Sequence, residues 1–354
     1  MTALLTITIL VLVGIAIWQM TKIFELSQVK AEKSEVANDK DNDINGKLMF
    51  AFLIFIYLLT IYSFWEWGDV LLPDSASEHG KDVDQLLWIS FALIFFVQTI
   101  TQFLLHYFAY KYRGKEGKKA LFYADNDKLE FIWTIIPVIV LAGLILYGLY
   151  TWTNIMNVDT EDDPLIVELY AQQFNWKARI AGEDNVLGDA NVRFLQDFDG
   201  KNLVGIDASD PNGMDDVVVQ ELHLPVGRKV LFKMRSQDVL HSAYMPHFRA
   251  QMNCVPGMIT QFAFTPTTTT EEMRQNPDIV AKVKKINNIR AEKSKELAAK
   301  GEEGLDPYTF DYLLLCNKIC GQSHYNMQMK IVVDTPEDYA KWVAEQPTFA
   351  EVIK

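Results

Sequence analysis

The sequence predicts a helical membrane anchor of four transmembrane helices joined to an all-β domain. Three observations carry that expectation. Four long apolar runs crowd into the first 152 of 354 residues. The remaining residues alternate short β-branched and aromatic runs with turn signals. Within that second part, the twelve residues from Cys316 to Met327 gather two thiols, an imidazole and a thioether.

A spanning helix needs about 20 mostly apolar residues. The runs at roughly Leu4–Met20, Leu48–Phe64, Leu86–Phe108 and Phe131–Trp152 are the four candidates. Trp65 and Trp67 form an aromatic belt after the second. The first run is the shortest, and a signal peptide is its rival reading. It has no basic residue ahead of it and no small-x-small cleavage site behind it, so a retained helix is expected. Loop charges set the orientation. Six Lys/Arg lie in 110–130, only Lys81 lies in 68–85, and 22–47 carries five lysines mixed with acids. The alternation places 22–47 and 110–130 inside. The N-terminus, loop 68–85 and the β domain then lie outside. Residues 27–46 are polar and read as a flexible or marginally helical connector.

In the second part, 165–180, Val217–His223, Lys229–Arg235, Gly257–Phe264, Tyr308–Leu315 and Met327–Val333 read as strands. Many short strands with turns such as Asp210-Pro211-Asn212-Gly213 point to a β-sandwich or barrel. Two helical pieces interrupt them. Thr335-Pro336 is a helix start, and 270–300 reads as an inserted, solvent-exposed helical excursion. The expected organisation is 1–85 as a helix pair with loops, 86–152 as a helical hairpin, and 153–354 as the β domain with its insertion at about 270–305.

The formal net charge is −13, of which the β half carries −9. A surface so acidic argues against a nucleic-acid partner, whose phosphates favour basic proteins. No Cys-x2-Cys-His heme-attachment motif occurs.

Soft and borderline donors suit copper or zinc, not calcium or magnesium. Cys316, Cys320, His324 and Met327 follow at intervals of four, four and three between two strand candidates. His241 comes from a separate inter-strand loop. The bland readings are a Cys316–Cys320 disulfide, a zinc half-site or a copper-chaperone pair. Cys254, the third cysteine, reads as a small buried apolar residue.

The pattern Cys-x3-Cys-Gly-x2-His-x2-Met, with Asp238-Val239-Leu240-His241-Ser242 and Val255-Pro256-Gly257 before it, resembles subunit II of cytochrome c oxidase. Asn126-Asp127-Lys128-Leu129-Glu130-Phe131-Ile132-Trp133 is similar to the start of that family's second membrane helix, and Pro225-Val226-Gly227 to a family turn. The resemblance covers roughly 86–345 apart from the insertion. It implies a cupredoxin-like Greek-key β-sandwich carrying a dinuclear copper centre, CuA. Cys316 and Cys320 would bridge two coppers, and His241 and His324 would each cap one. Met327 and the Lys318 carbonyl would be weak axial ligands. It further implies a cytochrome c donor, and a partner subunit I holding heme and CuB. Copper-free subunit II of quinol oxidases, thioredoxin-like copper-delivery factors and soluble nitrous oxide reductase are the rival families. The intact ligand set, the β pattern with Met327, and the four spans disfavour them in turn.

The chain departs from the family in three respects. Position 318 is glutamate in the family, where its carboxylate helps hold magnesium at the border with subunit I. Lysine cannot do so, which puts that ion in doubt. The family's Gln-Trp-x-Trp stretch is here Gln173-Phe174-Asn175-Trp176, so electron entry falls to Phe174 and Trp176, against a core reading of both. The family commonly has two membrane helices. The extra pair and the insertion are candidate docking elements for a larger assembly, with a tethered cytochrome. Glu130 has two readings, the mouth of a proton path or a capping box with Asp127 as N-cap. His247, after Met245-Pro246, tempts as a ligand, but the donor set is complete without it.

Overall fold

The computed structural model describes residues 2–28, 38–68, 71–157 and 163–354. Four helices come first: α1 (Thr2–Gln28), α2 (Asp39–Trp67), α3 (Gly80–Lys111) and α4 (Asp127–Met156). Three of them, α2, α3 and α4, are long and apolar enough to cross a membrane, and the apolar stretch described in α1 is the shorter Ile7–Ile23. Their apolar side chains are mostly exposed within this chain, as expected of surfaces that meet lipid or other subunits. The connector expected over 27–46 is helical from Asp39 onward, and its residues 29–37 lie outside the described ones.

The chain forms two compact units, 1–66 with 93–130, and 67–92 with 131–354. In the first, the start of α2 is tied to the end of α3. Arg113 donates to Asp43 at 2.7 Å, and the Asn42 side chain donates to the Gly114 carbonyl at 3.2 Å.

The second unit is built on two five-stranded sheets. One runs β3 (Val217–Val219), β2 (Asn175–Ile180), β1 (Leu165–Gln172), β5 (Val230–Ser236), β8 (Thr260–Phe264). The other runs β4 (Leu222–Pro225), β10 (Gln328–Asp334), β9 (Tyr312–Cys316), β6 (His241–Met245), β7 (Ala250–Cys254). Pairing is antiparallel except for β1 with β5 and β10 with β4. The core between them includes Val167, Leu169, Phe232, Ala243, Leu314 and Ile331, each fully buried.

Several strand expectations are corrected. The stretch 165–180 is a hairpin, β1 turning to β2 so that Gln172 faces Asn175. Residues 217–223 divide at Gln220-Glu221, β3 joining one sheet and β4 the other. The hairpin β6–β7 was not expected, because Ser242, Gln251 and Asn253 hide its alternation. Helix 270–300 is two helices, α5 (Thr270–Gln275) and α6 (Pro277–Ala298). Pro277 cannot donate to the preceding turn, and Asn276 caps α6 through Asp278 and Ile279. One side of the pair is not solvent-exposed, since Met273 and Ile279 join the core. The start at Thr335 caps α7 (Pro336–Ala344) as expected.

Residues 74–84 bind the β domain closely. Ala76 donates to the His247 carbonyl at 2.7 Å, and Thr267 donates to the Ala76 carbonyl at 2.8 Å. Arg249 grips both Asp84 oxygens, at 2.7 and 2.8 Å.

The outer face of β1, β2 and β5 is also buried. It carries Glu168, Arg179, Arg235 and, from the following loop, Asp216. Arg235 donates to Glu168 at 2.6 and 2.9 Å, and Arg179 joins Glu168 to Asp216. Burial pushes the Asp216 carboxyl up to about 6, against the pull of Arg179.

Candidate metal centre

β9 delivers Cys316 at its last position, and β10 begins one residue after Met327. The donor loop is therefore clamped at both ends, the Cys316 N–H donating to the Met327 carbonyl at 3.1 Å. His241 opens β6, beside β9 in the same sheet, and is not in an inter-strand loop as expected. The register pairs Ala243 with Cys316, which brings His241 to the thiols.

The separations are those of donors around metal. Cys316 Sγ lies 3.8 Å from Cys320 Sγ, 3.7 Å from His241 Nδ1 and 3.3 Å from the Lys318 carbonyl. Cys320 Sγ lies 3.6 Å from His324 Nδ1 and 3.8 Å from Met327 Sδ. Two donors each about 2.0–2.3 Å from one ion stand roughly 3.5 Å apart, so these spacings fit ligation. The ligand atoms of His241, Cys316 and Cys320 all lie within 4.8 Å of one another. Both cysteines are free thiols, which sets aside the disulfide.

Surrounding groups hold the donors. His241 is fully buried, and its Nε2 lies 2.8 Å from Asp238 Oδ1. A proton shared there leaves Nδ1 free toward the thiols. Burial opposes the charged form of Asp238. The N–H groups of Gln173 and Val239 and the His241 ring outweigh it and hold the carboxyl below its usual range. The Gln173 amide donates to the Cys320 carbonyl. Gly321 has φ +146°, and a Cβ there would stand 2.9 Å from Gln173 Nε2 and the Phe174 ring. Glycine is what lets the loop close on that hairpin. Burial, with Cys316 beside it, raises the Cys320 thiol to about 11, so ligation would release a proton at neutral pH. Cys254 is buried opposite His241, its thiol pushed up to about 12, as expected of an apolar role.

The other sequence-predicted residues separate from this set. Phe174 is half-buried and touches the core that Cys320 joins. Trp176 is 3% exposed, with its ring 6.2 Å from that of His241. Lys318 offers its carbonyl while the residue itself is exposed. Glu130 belongs to the other compact unit. There the cap of α4 is Asn126 and not Asp127: its side chain accepts from Leu129 at 3.1 Å, and Glu130 accepts from the Asn126 N–H at 3.5 Å. His247 packs against Phe310 and Tyr312, away from the donor set. Sequence reasoning gave no role to Asp238, Gln173 or Gly321. The signal for Asp238 was a carboxylate three residues before a candidate ligand histidine.

Two family models match the chain: the transmembrane domain of cytochrome c oxidase subunit II over residues 65–151, and its periplasmic domain over 183–285. The alternative cytochrome c oxidase subunit 2 of Bradyrhizobium diazoefficiens is 32% identical over 295 residues, covering 83% of this chain and 88% of that one. Cytochrome c oxidase subunit 2 of Thermostichus vulcanus is 23% identical, covering 83% and 84%. That of Cereibacter sphaeroides is 22% identical, covering 74% and 76%.

Proposed function

Because the chain belongs to the cytochrome c oxidase subunit II family, we propose that it is the electron-entry subunit of a heme–copper oxidase. The observation that supports this reading most is the convergence of six soft and borderline donors from β6 and the β9–β10 loop. Cys316, Cys320, His241, His324, Met327 and the Lys318 carbonyl would hold two copper ions. Such a copper pair supplies one-electron storage with little change of geometry. The chain's own residues do the rest. The sheet fixes the donors, and Asp238 orients the His241 ring.

In this reading a cytochrome c, free or tethered, delivers electrons near Phe174, with Trp176 behind it. Oxygen reduction and proton pumping belong to subunit I, which holds heme and CuB. Glu130 stands at a proton entrance on the opposite side. The β domain and the N-terminus face the periplasm, and the helices cross a bacterial inner membrane. Residues 1–85 add a helix pair to the anchor hairpin at 86–152, and 153–354 form the copper domain. The hydrogen bonds between 74–78 and the β domain are consistent with one side for both. The exposed Lys318 leaves no carboxylate for magnesium at that position.

The test uses the full chain in detergent, reconstituted with copper under reducing conditions. Two coppers per chain and a mixed-valence EPR signal are expected. One copper, or a mononuclear signal from folded protein, would rule the reading out in favour of a simple copper or zinc site.

A further inference from the structure

A cavity of about 510 Å³ lies far along the chain from the donor loop, where α3 meets α5. Its size falls in the roughly 300–1,000 Å³ range of small-ligand sites. One wall is the stripe Lys81, Asp84, Gln85 and Trp88, spaced so that one helix face presents all four. This stripe spans the point where α3 changes from polar to apolar, since Leu86 begins its membrane run. Half-exposed Trp88 is an aromatic residue at that boundary. The opposite wall is Glu272, Met273 and Asn276, and Asp74 closes one end.

The charges inside are not equally free. Asp84 is occupied by Arg249, and Glu272 by the Thr269 N–H and hydroxyl. Among the described residues Asp74 accepts only from the Asn276 side chain, at 2.8 Å. Among the described residues Lys81 has no hydrogen-bonding or ion-pair partner. The cavity thus offers one unpaired cation and one largely unpaired carboxylate, with an indole where the apolar run of α3 begins.

We infer that this cavity binds the headgroup of a phospholipid carrying both a phosphate and a free ammonium, that is, phosphatidylethanolamine in class. The phosphate pairs with Lys81, the ammonium with Asp74, and the glycerol region lies against Trp88. The Asp74 carboxylate, in the same cavity as Lys81, disfavours a headgroup that lacks an ammonium, such as phosphatidylglycerol. The apolar continuation of α3 below Trp88 gives the acyl chains their place and favours a lipid over a soluble amine.

The test is native mass spectrometry of the intact complex, delipidated in detergent and then reloaded with one lipid at a time. Phosphatidylethanolamine should be retained over phosphatidylglycerol. Lys81→Gln or Asp74→Asn should each lower retention about tenfold, the loss of one hydrogen bond to a charged group. Asp74→Lys should reverse the preference toward phosphatidylglycerol, a gain that misfolding cannot imitate. Copper content must stay at the wild-type value throughout, which separates this result from the fate of the metal reading. Equal retention of the two lipids, variants that retain lipid as wild type does, or full competition by soluble phosphoethanolamine would overturn the proposal.

Discussion

The two sheets of the β domain each bury a polar cluster, and the clusters differ in kind. On the first sheet Glu168, Arg179, Asp216 and Arg235 face one another, every charge with an opposite partner. Only Asp216 Oδ1 lacks a hydrogen bond. On the second, the thiols, Met327 and the Nδ1 atoms of both histidines meet at 3.6–3.8 Å and have little else to bond to. The first cluster is complete as the chain folds. The second sets its donors facing one another with no opposite charge among them, on a scaffold pinned by Asp238 and Gln173.

The sharpest way to break the comparison is to remove one of the two sulfurs of the proposed metal site. Cys320→Ser should abolish the dinuclear copper signal while the fold persists, read as copper per chain and EPR beside far-UV circular dichroism. Retention of a two-copper signal would show that the second cluster is not the metal site. The first cluster should respond oppositely. Arg179→Met leaves Asp216 and part of Glu168 unpaired in the interior, and should cost about 3–5 kcal/mol of stability with copper stoichiometry unchanged. Denaturant unfolding of the full chain measures it. A loss under about 1 kcal/mol would mean that water reaches the network.

How legible these clusters were in the sequence follows from what made each. The donor loop could be read because its ligands lie within twelve residues of one another. That His241 joins it was implied only by the family resemblance, because the strand register that delivers it is disguised by Ser242, Gln251 and Asn253. Arg179 and Glu168 gave no warning at all. They occupy strand positions that alternation marks as solvent-facing, yet the loop carrying Val204 and Ile206 covers that face. The helical anchor was clear from apolar length alone. The two units into which it divides were not, since residues 74–84 are polar and their attachment rests on main-chain bonds and Arg249.

Smaller perturbations sharpen the contrast. Asp238→Asn keeps the size of the side chain that orients His241 but removes its charge. It should weaken copper binding about 10–100-fold, measured by competition with a chelator. An unchanged affinity would mean the β6 backbone alone fixes the ring. His247 gives a pH counterpart away from the donors. Burial lowers its imidazole from 6.5 to about 4. The native state then binds fewer protons than the unfolded one. Its contribution is complete above about 6.5 and is lost as the pH falls through 4. The loss should reach about 2 kcal/mol at pH 5. His247→Phe should flatten that part of the stability profile, followed by urea unfolding from pH 7 to 5. An identical slope in the variant would assign the pH dependence to other groups.

The smallest effect belongs to Lys318, where main chain and side chain separate. Its carbonyl stands 3.3 Å from Cys316 Sγ while the residue is exposed. If position 318 serves copper only through the backbone, Lys318→Ala should leave copper stoichiometry and the EPR pattern as they are. Lys318→Glu should do the same for copper while adding a carboxylate that a hard divalent ion can use. Manganese titration of that variant, followed by EPR, should then reveal a binding event that wild type lacks. A changed copper signal in the alanine variant would mean that the lysine side chain holds the loop in place, and that the second cluster depends on a surface contact as well as on its sheet.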